Sequence, residues 1–152
     1  MEQKEQIRNG LQFIVTGLSQ QADGHDIQSR VFASQGFSKL AEKYAEHATE
    51  ERGYVNQIVD RMIDLGFKVE NSNKVCTPVI EDPVEWIKYD LDVSVKGLAG
   101  LKELAEACRD DYATYDILRE YYKDEEEDMF WGEAQLELIS KIGVQTWLVQ
   151  QL

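Results

Sequence analysis

The sequence predicts an all-α fold, a bundle of four long helices with one long crossover and a short fifth helix at the C-terminus. Apolar residues recur at alternating intervals of three and four along nearly the whole chain, which is the period of an amphipathic helix. Only two prolines occur in 152 residues, so long stretches are free to be helical. This length is typical of one domain, and we expect residues 1–152 to form a single domain.

The first predicted helix covers about residues 2–33. Its apolar face carries Ile7, Leu11, Ile14 and Leu18. Between Ser19 and Ser29 the seam becomes polar, with Gln21, His25 and Gln28 near it and Gly24 among them. Since glycine weakens a helix locally, we interpret this stretch as frayed or interface-facing helix, with a polar channel as the alternative.

The second predicted helix runs from a break at Gly36 to about Leu65, where Gly66 ends it. The third begins after Asp82, which can cap it, and Pro83 suits its first turn. It continues to about residue 108, a turn near residues 110–111 leads to a fourth helix ending near residue 143, and residues 144–152 can form the fifth.

The lengths of the links predict how the helices are connected. Short links join the first helix to the second and the third to the fourth, which forces antiparallel neighbours. The link between the second and third helices has about 16 residues and can stretch to roughly 50 Å, whereas the third helix is roughly 40 Å long. This link can therefore cross the whole bundle and leave the second and third helices parallel.

Charge and composition exclude several classes of protein. The net charge is −13, and a surface this acidic repels phosphate backbones and attracts cations, so we expect no nucleic-acid partner. No apolar run approaches the roughly 20 residues of a membrane span, and the N-terminus lacks the layout of a signal peptide, so we expect a cytoplasmic protein. Cys76 and Cys108 stand far apart, which suits a reducing compartment.

Polar residues in the apolar seams are the candidate functional residues. His47 and Glu51 lie four residues apart in a seam of Leu, Ile and Met, and Glu125, followed by Asp128, lies in the seam of the fourth helix. Buried carboxylates are costly unless they are paired or bound to metal, so Glu51 and Glu125 form a candidate metal site, with a hydrogen-bonded structural network as the alternative. Alone, His47 is more typical of a satisfied core histidine, and Tyr54 of a packed phenol, than of a metal ligand.

Two segments of the chain carry a resemblance to a known family. They are residues 30–40, RVFASQGFSKL, and residues 124–152, DEEEDMFWGEAQLELISKIGVQTWLVQQL. The first resembles the junction between the first two helices of the bacterioferritin family, and the second resembles the fourth and short fifth helices of that family. The resemblance extends over most of the chain, with a shortened turn between the third and fourth helices. It implies a ferritin-like bundle, a hollow cage of 24 subunits, oxidation of ferrous iron inside each bundle and a ferric mineral core.

The same resemblance implies which positions correspond to the di-iron site of the family. The two bridging glutamates fall on Glu51 and Glu125, the two histidines that follow them fall on Tyr54 and Asp128, and the two outer glutamates fall on Leu18 and Ser94. Leu18 cannot bind a metal, so a tightly bound di-iron pair is not expected. Non-haem iron is expected, in a number per chain that the sequence leaves open; a single ion held by Glu51, Glu125 and Asp128, with Tyr54 or His47 assisting, is chemically reasonable.

Three further positions bear on cofactors and storage. The haem-ligating methionine of the family falls on Arg52, so no haem is expected. An iron-binding pair on the cavity wall of the family falls on Glu46 and Glu50, which lie one helical turn apart and can bind hydrated cations. The alternative for this pair is a solvated helix face.

The leading hypothesis is a haem-free, bacterioferritin-like iron-storage subunit with weak or altered ferroxidase activity, in which Glu51 and Glu125 are the catalytic candidates. It would assemble with itself, or in a mixed cage with a subunit that oxidises iron efficiently. One alternative is a small metal-dependent oxidoreductase of ferritin-like fold that resembles the peroxide-reducing members. Another is a structural or interaction protein that kept the bundle and lost the metal.

Overall fold

The computed structural model describes residues 2–152, and helices are the only regular secondary structure over that range. The helices are α1 (Glu2–Ser34), α2 (Ser38–Asp64), α3 (Pro83–Ala107), α4 (Tyr112–Ile142) and α5 (Val144–Val149). The predicted all-α bundle with a short fifth helix is confirmed, and the bounds agree with the predicted ones within a few residues. No helix within residues 2–152 is long and apolar enough to cross a membrane.

The helix ends follow from local sequence. Gly36 and Gly66 take positive φ angles of 86° and 76°, a conformation that residues with a Cβ rarely adopt, and each lies just beyond the end of a long helix. At the start of α3, the carboxylate of Asp82 accepts hydrogen bonds from the backbone N–H groups of Val84 and Glu85 at 2.9 and 3.0 Å. This is the predicted N-cap.

The long link between α2 and α3 lies along α1, held by glutamine side chains. We name this set the glutamine ladder; its members are Gln12, Gln20, Gln28 and Gln35, and their backbone partners lie at Glu70, Val75, Ile80 and Glu81. Because the partners advance in the same order as the glutamines, the link runs parallel to α1 from near its start to its end. It therefore crosses the length of the bundle, so α2 and α3 are parallel, as the link lengths predict.

Two apolar clusters fill the bundle. One contains Leu11, Val15, Ile58, Met62, Leu101, Ala105, Cys108 and Leu118. The other contains Phe32, Leu40, Ala41, Tyr44, Trp86, Ile87 and Trp147, which brings α5 into the core. Between these clusters the bundle interior is polar, and the candidate site lies there.

The expectation of frayed or interface-facing helix between Ser19 and Ser29 is wrong. Helix α1 is unbroken through this stretch, and His25 and Gln28 are only 2% and 1% exposed. The polar side chains are inside because each has a partner there: Gln28 bonds to the backbone of Ile80, and His25 lies between two carboxylates.

Candidate metal centre

A layer of ionisable and polar side chains separates the two apolar clusters, and all four long helices contribute to it. We call it the polar layer; its members are His25 on α1, His47 and Glu51 on α2, Asp90 and Ser94 on α3, and Glu125 and Asp128 on α4. His25, His47, Glu51, Ser94 and Glu125 are each no more than 5% exposed. These side chains point inward because they recur at intervals of three and four residues along their helices, at positions that are apolar elsewhere on the same helix faces.

His25 occupies the middle of the polar layer. Its Nδ1 lies 2.5 Å from Glu51 Oε1 and its Nε2 lies 2.8 Å from Asp90 Oδ1. Burial disfavours the imidazolium, but the charges of Asp90 and Glu51 and their hydrogen bonds raise the pKa of His25 well above its usual value. The ring therefore acts as a buried cation that donates one hydrogen bond to each carboxylate.

His47 behaves in the opposite way. Burial lowers the pKa of His47 to about 3, with the positive charges of His25 and Lys43 adding to the effect. Its Nε2 lies 3.3 Å from Asp128 Oδ1, yet the orientation forms no hydrogen bond with any group in residues 2–152. The expectation of a satisfied core histidine is therefore wrong: His47 is a neutral imidazole with an unpaired, buried nitrogen.

Of the three carboxylates predicted as metal ligands, Glu51 and Glu125 are buried and Asp128 is half-buried. Burial raises the pKa of Asp128 to about 8, and repulsion from Glu125 adds to this. Burial likewise raises the pKa of Glu51, against the attraction of His25, and of Glu125, against hydrogen bonds from Ser94 and Gln21. Acids held together at such a cost favour a nearby cation, either a proton or a metal ion.

The remaining predicted ligands lie apart from this centre. The hydroxyl of Tyr54 donates a hydrogen bond to Asp124, so it is engaged outside the predicted set of Glu51, Glu125 and Asp128, and its role as a ligand stays a prediction. Glu46 and Glu50 are exposed on α2, where their cation-binding role stays a prediction. Arg52, at the position of the haem ligand, pairs with Asp23.

The residues do not fit the di-iron pair that the family resemblance implies. Leu18 is 3% exposed and brings an apolar side chain where an outer carboxylate would stand. Ser94 occupies the other outer position, where its hydroxyl lies near enough to Glu125 to work against the rise in the pKa of that acid. Only the bridging positions and Asp128 retain carboxylates, which suits one metal ion better than two.

Two members of the polar layer, Asp90 and His25, were not predicted from the sequence as site residues. Asp90 was not recognised, although it lies three residues after the buried Ile87 and four before the buried Ser94, on the α3 seam. The sequence places His25 near the α1 seam, in the stretch interpreted above as frayed or interface-facing helix. In α1 it continues the seam of Leu18 and Ala22, a spacing of four and three residues that could have identified it.

Comparison with known proteins agrees with this architecture. The sequence model of the ferritin-like domain family matches residues 27–142. A protein of Synechocystis sp. named bacterial ferritin is 32% identical over 133 residues, covering 86% of this chain and 85% of that protein. A bacterial ferritin of Pseudomonas aeruginosa is 28% identical over 155 residues and covers 100% of both chains. A bacterioferritin of Brucella melitensis is 31% identical over 118 residues, covering 75% of this chain and 72% of that protein.

Proposed function

The chain belongs to the ferritin-like domain family, and on this premise we propose that it is a haem-free iron-binding subunit of a bacterioferritin-like storage cage, with weak or altered ferroxidase activity. Iron binding and storage are the function of this family. The observation that carries the finer proposal is the polar layer, where ionisable side chains from four helices converge inside an otherwise apolar bundle. An arrangement so costly to bury is typical of a site that handles charge.

Ferrous iron is the substrate of this proposed site. Glu51, Glu125 and Asp128 would supply oxygen ligands, which suit iron, and their negative charge would favour the ferric product over the ferrous ion. Three carboxylates replace the four that would balance two ferrous ions. We therefore expect slower oxidation, of one iron at a time.

Storage draws on the acidic surface. The net charge of −13 attracts cations, and the exposed pair Glu46 and Glu50 can hold hydrated iron and seed a mineral. The proposed assembly is a cytoplasmic cage of 24 copies, or a mixed cage in which a competent partner subunit oxidises the iron.

Oxidation of ferrous iron tests this function. Metal-stripped protein is mixed with ferrous iron in air, and near-ultraviolet absorbance is followed against a no-protein control. We expect a protein-dependent phase that saturates near one iron per chain and is lost in the Glu51→Ala, Glu125→Ala double variant. If the double variant oxidises and binds iron as the parent does, these carboxylates are not the site. Native mass then tests the cage.

A metal-free structural bundle is the second candidate, and one observation favours it. His25 already places a positive charge between Glu51 and Asp90, so these acids are balanced without any metal. Metal analysis of protein purified from iron-replete cells separates the two functions. Iron retained through dialysis supports the storage subunit, whereas metal-free protein of cage mass supports the structural one. Repeating the oxidation assay with hydrogen peroxide instead of air tests the peroxide-reducing alternative.

A further inference from the structure

We propose that the polar layer binds one divalent first-row transition-metal ion through His25, His47 and Asp90. One ligand atom from each of these residues lies within 4.8 Å of the others. Asp90 and His47 precede Ser94 and Glu51 by four residues, so this centre lies about one helical turn from the positions of the family's di-iron site. Two imidazoles and one carboxylate form a donor set typical of mononuclear ferrous sites with open positions. The inference goes beyond the proposed function because it does not depend on Glu125.

The unpaired nitrogen of His47 is the first argument for this site. His47 is 4% exposed, and its Nε2 has no hydrogen-bond partner in residues 2–152. A buried polar atom without a partner is costly and rare in folded proteins. A metal ion between His47 and Asp90 would give this nitrogen the partner that it lacks.

The orientation of His25 is the second argument. Its Nδ1 lies 2.5 Å from Glu51, and a histidine that binds metal usually donates its other N–H to such a carboxylate. The contact turns Nε2 toward Asp90 Oδ1, 2.8 Å away. Two ligands about 2.1 Å from one ion stand about 3 Å apart, so a metal can replace the proton between these atoms with a small side-chain shift. Glu51 then acts as a positioning residue for His25.

Asp128 lies beside this site, outside the group of three whose ligand atoms are all within 4.8 Å of one another. Its Oδ1 lies 3.3 Å from His47 Nε2, a separation that suits two ligands of the same ion. After a side-chain shift Asp128 would add a second carboxylate to that of Asp90, so that each long helix would supply one ligand. The charge of two carboxylates balances a divalent cation in the apolar interior.

A cleft open to the surface reaches two of the three ligands. This cleft of about 120 Å³ between α1, α3 and the crossover is lined by His25 and Asp90, together with Gly17 and Gly24. A Cβ at either glycine would meet no atom within 4 Å, so the cleft is open at both positions. A metal site needs such an entry path.

Imidazole ligands of a bound metal can be assigned without ambiguity in this chain. His25 and His47 are the only histidines among the 152 residues, so any imidazole bound to a metal in untagged protein comes from this layer. One equivalent of ferrous iron is added without oxygen, and X-ray absorption at the iron edge counts imidazole ligands. We expect two per iron. The affinity is measured separately by titration with cobalt(II), followed by its visible absorption.

Two variants separate this inference from the proposed function. His47→Leu replaces a proposed ligand with an apolar side chain of similar size. It should weaken cobalt(II) binding by at least about 100-fold, which is more than the loss of a residue that only hydrogen-bonds to a ligand typically costs. Glu125→Gln removes a carboxylate of the proposed oxidation site and should change cobalt(II) affinity by less than about 10-fold. Circular dichroism and native mass confirm that each variant is folded, and the imidazole count on the parent protein requires no variant.

Each outcome is decisive for one idea or for both. Iron bound by oxygen ligands alone, with affinity lost in Glu125→Gln and retained in His47→Leu, overturns the histidine site and leaves the proposed function standing. Two imidazoles per iron without any acceleration of iron oxidation support the histidine site and count against the ferroxidase. A parent protein that takes up neither iron nor cobalt(II) overturns both.

Discussion

The glutamine ladder and the polar layer both place polar side chains against α1, but they treat their hydrogen bonds differently. In the ladder, Gln28 donates to the carbonyl of Ile80 and accepts from its N–H at 2.9 and 2.8 Å, and Gln12 does the same with Glu70. In the layer, His25 is bonded on both sides while His47 keeps one nitrogen unpaired. Complete pairing is typical of a structural role, whereas a buried group without a partner needs an explanation, and for His47 the explanation that we propose is a bound metal ion.

Electrostatics separates the two regions as well. The ladder joins neutral amides to neutral backbone groups, which costs little to bury once the bonds are made. The layer concentrates four carboxylates and two imidazoles, and the pKa values of Asp128 and His47 move to about 8 and about 3 because of burial. Substitutions in the ladder and in the layer should therefore change the free energy of unfolding for different reasons.

The largest effect is expected from His25→Leu. The variant removes the cation between Glu51 and Asp90, and breaking a buried ion pair by deleting one partner typically costs about 3–5 kcal/mol. We expect a loss of this size in the free energy of unfolding of metal-free protein, measured in urea at pH 7 and a fixed subunit concentration. The exposed pair of Arg52 with Asp23 is the control, since Arg52→Gln should cost less than about 1 kcal/mol. Equal losses in the two variants would contradict the role of His25 as a buried cation.

The second effect tests the ladder. Gln28→Leu keeps the size of a side chain that is 1% exposed but leaves the N–H and carbonyl of Ile80 unpaired, at about 1–3 kcal/mol for each buried group. We expect a loss of about 2–4 kcal/mol in the urea unfolding free energy.

The matched control for this ladder variant is Gln20→Leu. Gln20 makes one exposed bond, 3.1 Å long, to Val75, so its loss should stay below about 1 kcal/mol. If both variants unfold alike, the bonds to Ile80 do not hold the crossover.

The fold was predictable because its signals are local. The three-and-four spacing predicts the helices, Gly36 and Gly66 mark two of their ends, and the length of the crossover is enough to predict parallel α2 and α3. The carboxylates Glu51 and Glu125 were found for the same reason, since an acid in a seam of apolar residues stands out within one helix.

The rest could not be read in this way because it depends on distant partners. His25 meets Glu51 and Asp90 from 26 and 65 residues away, and without those partners a polar stretch around Gly24 resembles a weak helix. The glutamine ladder is harder to predict from the sequence, because the partner of Gln28 is a backbone group in a non-helical segment 52 residues further along the chain. The metal site that we propose depends on which imidazole nitrogen lacks a hydrogen-bond partner, and the spacing of residues along the chain does not show that.

The third effect has the opposite sign to the first two. His47→Leu replaces an unpaired buried nitrogen with an apolar group, so metal-free protein should gain about 1 kcal/mol in unfolding free energy. Urea unfolding of the parent and the variant, both stripped with chelator, measures the gain. A loss like that of His25→Leu would mean that His47 has a stabilising partner, and the contrast between the two histidines would disappear.

The smallest effect on the free energy of unfolding is expected at Asp111, an acid outside the polar layer that pairs with Arg61. Burial works against ionisation of Asp111, but hydrogen bonds from Thr114 and Arg61 lower its pKa. A lowered pKa adds stability above the unfolded value of 3.8, and that stability disappears as the pH falls through the folded value. Asp111→Asn should therefore cost about 0.5 kcal/mol near neutral pH, because solvent screens the pair, and progressively less as the pH falls below 3.8. Urea unfolding at several pH values checks this, and a cost that persists in acid would show that the capping bonds, and not the charge, stabilise the turn before α4.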